Sequence, residues 1–153
     1  MTVTLQKFIK EASQTEALRN YTLENDTFCA HPLTFLDREG YHCVLVCDNE
    51  EVVGFFVLDN GPDLATYVAE PHALLLRGYS IDSTMQGQGY GTRSLAELKA
   101  YVNAHFTMID QVVLAVNKRN IPAQKLYLKS GFRETARTVL GPRGEQFVYE
   151  MKM

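Results

Sequence analysis

Apolar residues recur along this chain with two periods, near two and near 3.6, and the switches between them mark out the elements. Val3–Ile9 alternates well enough for an opening strand. Ser13-Gln14-Thr15-Glu16 has capping-box spacing, which predicts a helix with Ser13 at its N-cap running to about Leu23. Glu24-Asn25-Asp26 breaks that helix, and Pro32 opens a second short one over Leu33–Arg38. Tyr41–Cys47 and Val52–Leu58 read as strands joined by the turn-forming Asp48-Asn49-Glu50-Glu51. A long polar excursion follows from Asp59 to His72. Connections of that length are often functional, so an irregular or helical element close to a ligand is expected there.

The second half is more regular. Ala73–Ile81 is nearly continuous in apolar character and predicts a buried central strand. Leu95, Leu98 and Val102 recur at helical spacing and predict an amphipathic helix from Thr92 to about His105. Gln111–Val116 predicts another buried strand. Ile121–Ser130 predicts a helix, with Pro122 in its first turn and Gly131 just past its end. Phe132–Leu140 and Glu145–Met151 predict a hairpin across Gly141-Pro142-Arg143-Gly144. The order is that of a mixed α/β domain with an antiparallel front and a βαβ-like middle. No repeat or linker interrupts residues 1–153, so one domain is expected.

Composition adds exclusions. A 46% hydrophobic, 22% charged chain is globular in type. No apolar run approaches the ~20 residues of a membrane helix, and the first residues lack the order of a signal peptide, so a cytoplasmic protein with no membrane partner is expected. Three cysteines, Cys29, Cys43 and Cys47, read as reduced thiols, and no ligand set suggests a metal. The net charge of −3 speaks against a nucleic-acid partner. Its distribution is uneven: residues 1–82 hold 5 basic and 13 acidic side chains, a net of −8, and residues 83–153 hold 10 and 5, a net of +5. Two ligands of opposite sign are one reading, and a solvated surface is the other.

The most informative stretch is Ile81-Asp82-Ser83-Thr84-Met85-Gln86-Gly87-Gln88-Gly89-Tyr90-Gly91-Thr92, where a strand runs into a glycine-rich turn that opens a helix. Alternate glycines let backbone amides converge, and a helix N-terminus adds partial positive charge, so the stretch suits a pyrophosphate. It lacks the Lys-Ser/Thr of a P-loop. Thr92 misses the last glycine of a dinucleotide fingerprint, which also belongs on a first strand.

Gln86-Gly87-Gln88-Gly89-Tyr90-Gly91 resembles the Gln/Arg-x-x-Gly-x-Gly/Ala element of the GNAT superfamily of N-acetyltransferases. Asn120-Ile121-Pro122-Ala123-Gln124-Lys125-Leu126-Tyr127 with Gly131-Phe132 resembles its second element, and the likeness covers about residues 73–132. It implies a mostly antiparallel twisted sheet flanked by helices, with a splayed central strand pair. It implies acetyl-CoA as co-substrate, no metal, and an amine acceptor, small-molecule or peptide. Families of this kind often form homodimers. Backbone groups of Tyr79, Ser80 and Ile81 would pair with the pantetheine arm, and amides of Gly87, Gln88, Gly89, Tyr90, Gly91 and Thr92, beside Gln86, would hold the pyrophosphate. Asn120 would contact the cofactor. A backbone N–H freed by a bulge near Tyr79–Ser80 would stabilise the oxyanion, and Gly78 is consistent with such a bulge. The chain departs from the pattern in having no Arg or Lys from Ser83 to Thr92, so Lys118, Arg119, Lys125 or Lys129 would supply the missing charge.

A phenol can protonate a departing thiolate, so Tyr127 is the candidate general acid, against the alternative of an aromatic packed on an amphipathic helix. Asn120 also reads as the N-cap of its helix. No residue declares itself as general base, and Asp82, Glu24 and Asp26 are the candidates. The acidic first half favours a cationic acceptor such as a polyamine, held near Glu24, Asp26 and Asp82. A non-catalytic acyl-CoA sensor and a protein or peptide acetyltransferase are the rival readings.

Overall fold

A computed structural model describes residues 1–153 and contains one seven-stranded sheet in the order β1-β2-β3-β4-β5-β7-β6. The strands are β1 (Val3–Lys7), β2 (Tyr41–Asp48), β3 (Glu51–Asp59), β4 (Ala73–Ile81), β5 (Gln111–Asn117), β6 (Arg133–Gly141) and β7 (Gly144–Lys152). Every neighbouring pair is antiparallel except β4 and β5, which are parallel because the chain crosses over between them. The helices are α1 (Ala12–Arg19), α2 (Tyr90–Ala96), α3 (Leu98–His105) and α4 (Ile121–Lys129), with 3₁₀ turns at Pro32–Phe35, Pro62–Thr66 and Ser83–Met85.

Both sheet faces are covered, which is why β2, β3 and β4 read as apolar runs rather than alternations. Val44, Val46, Phe56, Leu74 and Leu114 point to one face, where Leu95, Leu98 and Val102 of the crossover helices meet them. Leu45, Cys47, Phe55 and Val57 point to the other and receive Leu18 from α1 and Tyr21 from just beyond its end. The Asp59–His72 excursion folds its 3₁₀ turn over Ala73, Leu75 and Val113. Asp59 itself is buried and paired with Arg77 at 3.1 Å, so this acidic segment serves the fold at that point.

Three sequence expectations need correction. The capping box at Ser13 does not form: α1 starts at Ala12, Glu11 occupies the N-cap without a side-chain bond, and the Ser13 hydroxyl donates to Glu11. Gln14 instead accepts the Ile9 amide at 2.7 Å, which ends β1 early and fixes the entry of the chain. The helix stops at Arg19 rather than Leu23. The Tyr21 ring is buried, its hydroxyl meets Ser80 Oγ at 2.8 Å, and the Thr22 amide donates to Asp82, so long-range bonds replace the last expected helical turn. The helix expected from Thr92 to His105 is two rods that break at Glu97. The Ser94 hydroxyl donates to the Gly91 carbonyl at 2.9 Å and accepts from the Tyr79 hydroxyl at 2.6 Å, and a serine bonded back to its own helix bends it.

β4 carries a bulge. Phe55 pairs with Ser80 and Val57 with Arg77, so β4 inserts Gly78 and Tyr79 opposite the single Phe56. Gly78 sits at φ +62°, and a Cβ there would lie 2.9 Å from the Phe35 ring. Gly78→Ala is therefore expected to destabilise the fold by about 1–3 kcal/mol in urea denaturation, since a left-handed backbone and a clash are imposed together. An unchanged midpoint would show that the bulge does not require glycine.

Candidate active site

The parallel ladder between β4 and β5 runs from Ala73–Gln111 to Leu76–Leu114 and then stops. Beyond it β4 bends away at its bulge while β5 stays paired with β7 as far as Asn117–Gln146. The two strands part into the splayed pair foreseen from sequence, and a cleft of about 780 Å³ passes through the gap. Arg77, Gly78, Tyr79, Ser80 and Ile81 form one wall, and Ala115, Val116 and Asn117 form the other.

On the α2–α4 side the cleft reaches Gln86, Gly87, Asn120, Ala123 and Leu126. No backbone amide from Gln86 to Thr92 donates a hydrogen bond within the chain. Gly87 and Gly89 adopt φ +80° and +85°, and a Cβ on either would meet nothing within 4 Å, so the turn is open above those amides. Unpaired amides on an open turn at a helix N-terminus form an anion cradle. Side chains in this loop do structural work: the Tyr90 hydroxyl donates to Asp48 at 2.6 Å and Gln86 Nε2 donates to the Ile81 carbonyl at 3.3 Å. Gln88 and Thr92 are exposed. Asn120 caps α4 by accepting the Ala123 amide and also lines the cleft, so both roles read from its sequence position are sterically open.

Tyr127, on α4, is buried. Its ring is edge-on to Tyr79 and Phe132, with centroids 6.1 and 5.7 Å away, and it lines the cleft. Burial pushes its phenol far above the usual tyrosine range, with no hydrogen bond to offset it, so the group stays protonated. Tyr79 is raised by burial to about 12, and its bond to Ser94 lowers it only in part. Cys29 is raised to about 11, again chiefly by burial, which leaves a neutral thiol in the cleft wall.

The acidic candidates lie elsewhere. Glu24 and Asp26 are exposed and do not line the cleft, and neither does Asp82. Asp82 ties the 22–24 segment to the loop base, accepting the Thr22 amide at 3.0 Å and the Thr84 amide and hydroxyl at 2.9 and 2.7 Å. Burial raises its carboxyl, but the Thr84 and Thr22 donors outweigh that and hold it below its ordinary value. The suggested phosphate cations are divided. Lys118 pairs with Glu145 at 3.0 Å, and Arg119 turns to the Arg143 carbonyl, so only Lys125 and Lys129 stay free and exposed on α4.

Comparison with known proteins settles the family. The Acetyltransferase (GNAT) family pattern matches residues 6–132. The chain belongs to the GNAT acetyltransferase family. It is 36% identical over 138 residues to YbbJ of Bacillus subtilis (strain 168), described as an uncharacterized N-acetyltransferase, with 86% of each protein covered. The fold agrees with solved structures of low identity. One is an aminoglycoside acetyltransferase, AAC(6')-Ib, in complex with ribostamycin and coenzyme A (TM-score 0.80, 16% identity, 99% of this chain and 94% of that one). Another is a Bacillus subtilis acetyltransferase in complex with CoA (TM-score 0.69, 14% identity, 99% of both chains). The seven-stranded, mostly antiparallel sheet flanked by helices thus matches the fold of those acetyltransferases.

Residues that sequence reading overlooked line the far side of the cleft. Phe28, Cys29 and Arg143 come from a loop and a hairpin tip, and only their distant partners give them a place. The Asp82 bonds generate one test. Asp82→Asn is expected to cost about 1–3 kcal/mol at neutral pH. The wild-type advantage, present above the unfolded carboxyl pKa of roughly 3.9 and lost as pH falls through the depressed folded value, should vanish in acid. Urea midpoints of the two proteins that stay equally far apart at pH 7 and pH 3 would contradict this.

Proposed function

We propose that this GNAT protein is an acetyl-CoA-dependent N-acetyltransferase acting on a primary amine, with Tyr127 as general acid. The observation behind this is the row of amides without acceptors from Gln86 to Thr92, at the mouth of a cleft that runs to the Tyr127 ring. Neighbours of the same fold are described in complex with CoA and with acetyl-CoA, which supports the same donor here. Bound acetyl-CoA would supply the thioester acetyl group and carry away the leaving thiolate.

The amides of Gly87 to Thr92 would hold the pyrophosphate, and the β4 backbone at Tyr79, Ser80 and Ile81, unpaired on its β5-facing edge beyond Leu76, would pair with the pantetheine arm as an added strand. Asn120 would meet the cofactor from α4. The amine nitrogen bonds to the acetyl carbon as the C–S bond breaks, and a backbone N–H at the bulge stabilises the developing oxyanion. The Tyr127 phenol donates its proton to the departing thiolate. Because burial makes a lasting phenolate costly, the proton released by the amine returns to Tyr127, directly or through water. The count balances: one N–C bond forms, one C–S bond breaks, and one proton moves from amine to thiol.

A small-molecule amine acceptor is supported by the aminoglycosides described in complex with AAC(6')-Ib, whereas the acidic first half of the chain places no Asp or Glu in the cleft lining. Peptide amines fit the same chemistry. Acetyl-CoA at about 100 times its Kd is expected to stabilise the protein by ~2.7 kcal/mol and raise Tm by roughly 5–10 °C. Gly89→Asp should abolish that rise, because it sets a carboxylate and a Cβ where phosphate must approach. A normal rise in the variant would refute the loop assignment. Tyr127→Phe should lower kcat by about 100-fold with the acetyl-CoA Kd nearly unchanged. An equal loss of cofactor binding would assign the residue to packing alone.

A further inference from the structure

The cleft emerges on the α1 side of the sheet, opposite the amide cradle, between the 23–30 segment and the β6–β7 turn. We infer that this end receives an amine that also bears a carboxylate, bound by the guanidinium of Arg143 with Arg119 beside it; the inference rests on the transferase reading above. The lining of the whole cleft contains no Asp or Glu, and its only charged residues are Arg77 and Arg143. Arg77 is spent on the fold, paired with Asp59 at 3.1 Å and Asp63 at 3.2 Å. Arg143 has no carboxylate partner. Its Nη1 donates to the carbonyls of Asp26 and Thr27, which leaves Nη2 and Nε unengaged.

The position of Arg143 is built rather than accidental. Asn117 Nδ2 donates to its carbonyl at 3.0 Å and Arg119 Nη2 donates to the same oxygen at 2.7 Å, so β5, the following loop and the hairpin tip converge on it. The Arg119 guanidinium lies 5.6 Å above the Phe28 ring, also without an acidic partner. A planar guanidinium with free donors suits a carboxylate, which it binds through two parallel hydrogen bonds. A polyamine would instead bring a second cation into a cleft that offers it no carboxylate, and would lose hydration without compensation.

None of Glu24, Asp26 and Asp82, the base candidates suggested by sequence, lines the cleft, so an acceptor amine that arrives as the ammonium sheds its first proton to water.

The experiment compares three acceptor series of matched chain length at saturating acetyl-CoA: ω-amino acids and α-amino acids, their amides, and diamines. The wild-type protein should acetylate carboxylate-bearing amines with kcat/KM at least about tenfold above the matched amides, with diamines lowest. Arg143→Gln should remove most of that preference through KM, with the loss on carboxylate acceptors about five times or more the loss on amides, and Arg143→Lys should recover part of it. Higher kcat/KM for diamines than for amino acids overturns the inference and leaves the transferase reading standing. An equal loss on every acceptor in Arg143→Gln overturns it too, and assigns Arg143 to holding the 26–27 segment. Acetyl-CoA that stabilises the protein while no amine in any series is acetylated overturns the transferase reading and this inference together.

Discussion

The site depends on one broken ladder. β4 and β5 share hydrogen bonds only up to Leu76 and Leu114, and a sheet interior does not normally leave backbone donors and acceptors unpaired. Each strand is nevertheless secured on its other side. β3 holds β4 on both sides of the Gly78–Tyr79 bulge, and β7 holds β5 along its full length. The gap is therefore a fixed opening between two firm walls rather than a frayed edge, and Tyr79 pins it by reaching from the bulge to Ser94 and Gly91 at the start of α2. Strand curvature and loop position are thus joined: what bends β4 also sets the amide-rich turn at the mouth of the cleft.

Because the opening passes through the sheet, its two ends have different chemistry. One end shows amides and small residues under an open turn. The other shows Phe28, a neutral thiol and an arginine. A reactant with a pyrophosphate and one with an amine can enter from opposite faces and meet near Tyr127 without competing for space. The acidic excess of the first 82 residues does not reach this meeting point. Asp59 and Asp63 neutralise Arg77, Asp82 fastens a loop, Asp48 accepts from Tyr90, and Glu24 and Asp26 face outside the lining. Overall charge in a half-chain says little about a site when most of those charges already have partners within the fold.

Much of this was legible in the chain, for reasons that can be named. The Gln86–Thr92 turn and the Asn120–Tyr127 helix obey local rules: glycines at positive φ, proline in the first helical turn and an asparagine cap act within a few residues. The splayed strand pair and a bulge near Tyr79–Ser80 were implied by the likeness to the GNAT pattern, whereas the order of strands in the sheet comes from the structure alone. The failures are long-range. Ser13 loses its capping role because Gln14 takes the Ile9 amide. α1 ends early because Tyr21 and Thr22 bond to residues about sixty positions away. Arg143 read as part of a hairpin turn because nothing near it in sequence reveals that Asp26, Thr27 and Asn117 surround it.

On the mechanism proposed for it, Tyr127 is a packing residue and an acid at once, and the first role conditions the second. Its ring fills the space between Tyr79 and Phe132, and that burial raises the phenol far above the usual tyrosine range. An ordinary exposed tyrosine would share its proton with water and be free to rotate. Here the ring is held by its neighbours, and no group in the chain competes for its hydroxyl as acceptor or donor. The same desolvation means the anion cannot persist, so this phenol works only where a proton arrives as one leaves. On the proposed mechanism that requirement ties Tyr127 to the amine entering from the far face, whose proton replaces the one given to the thiolate.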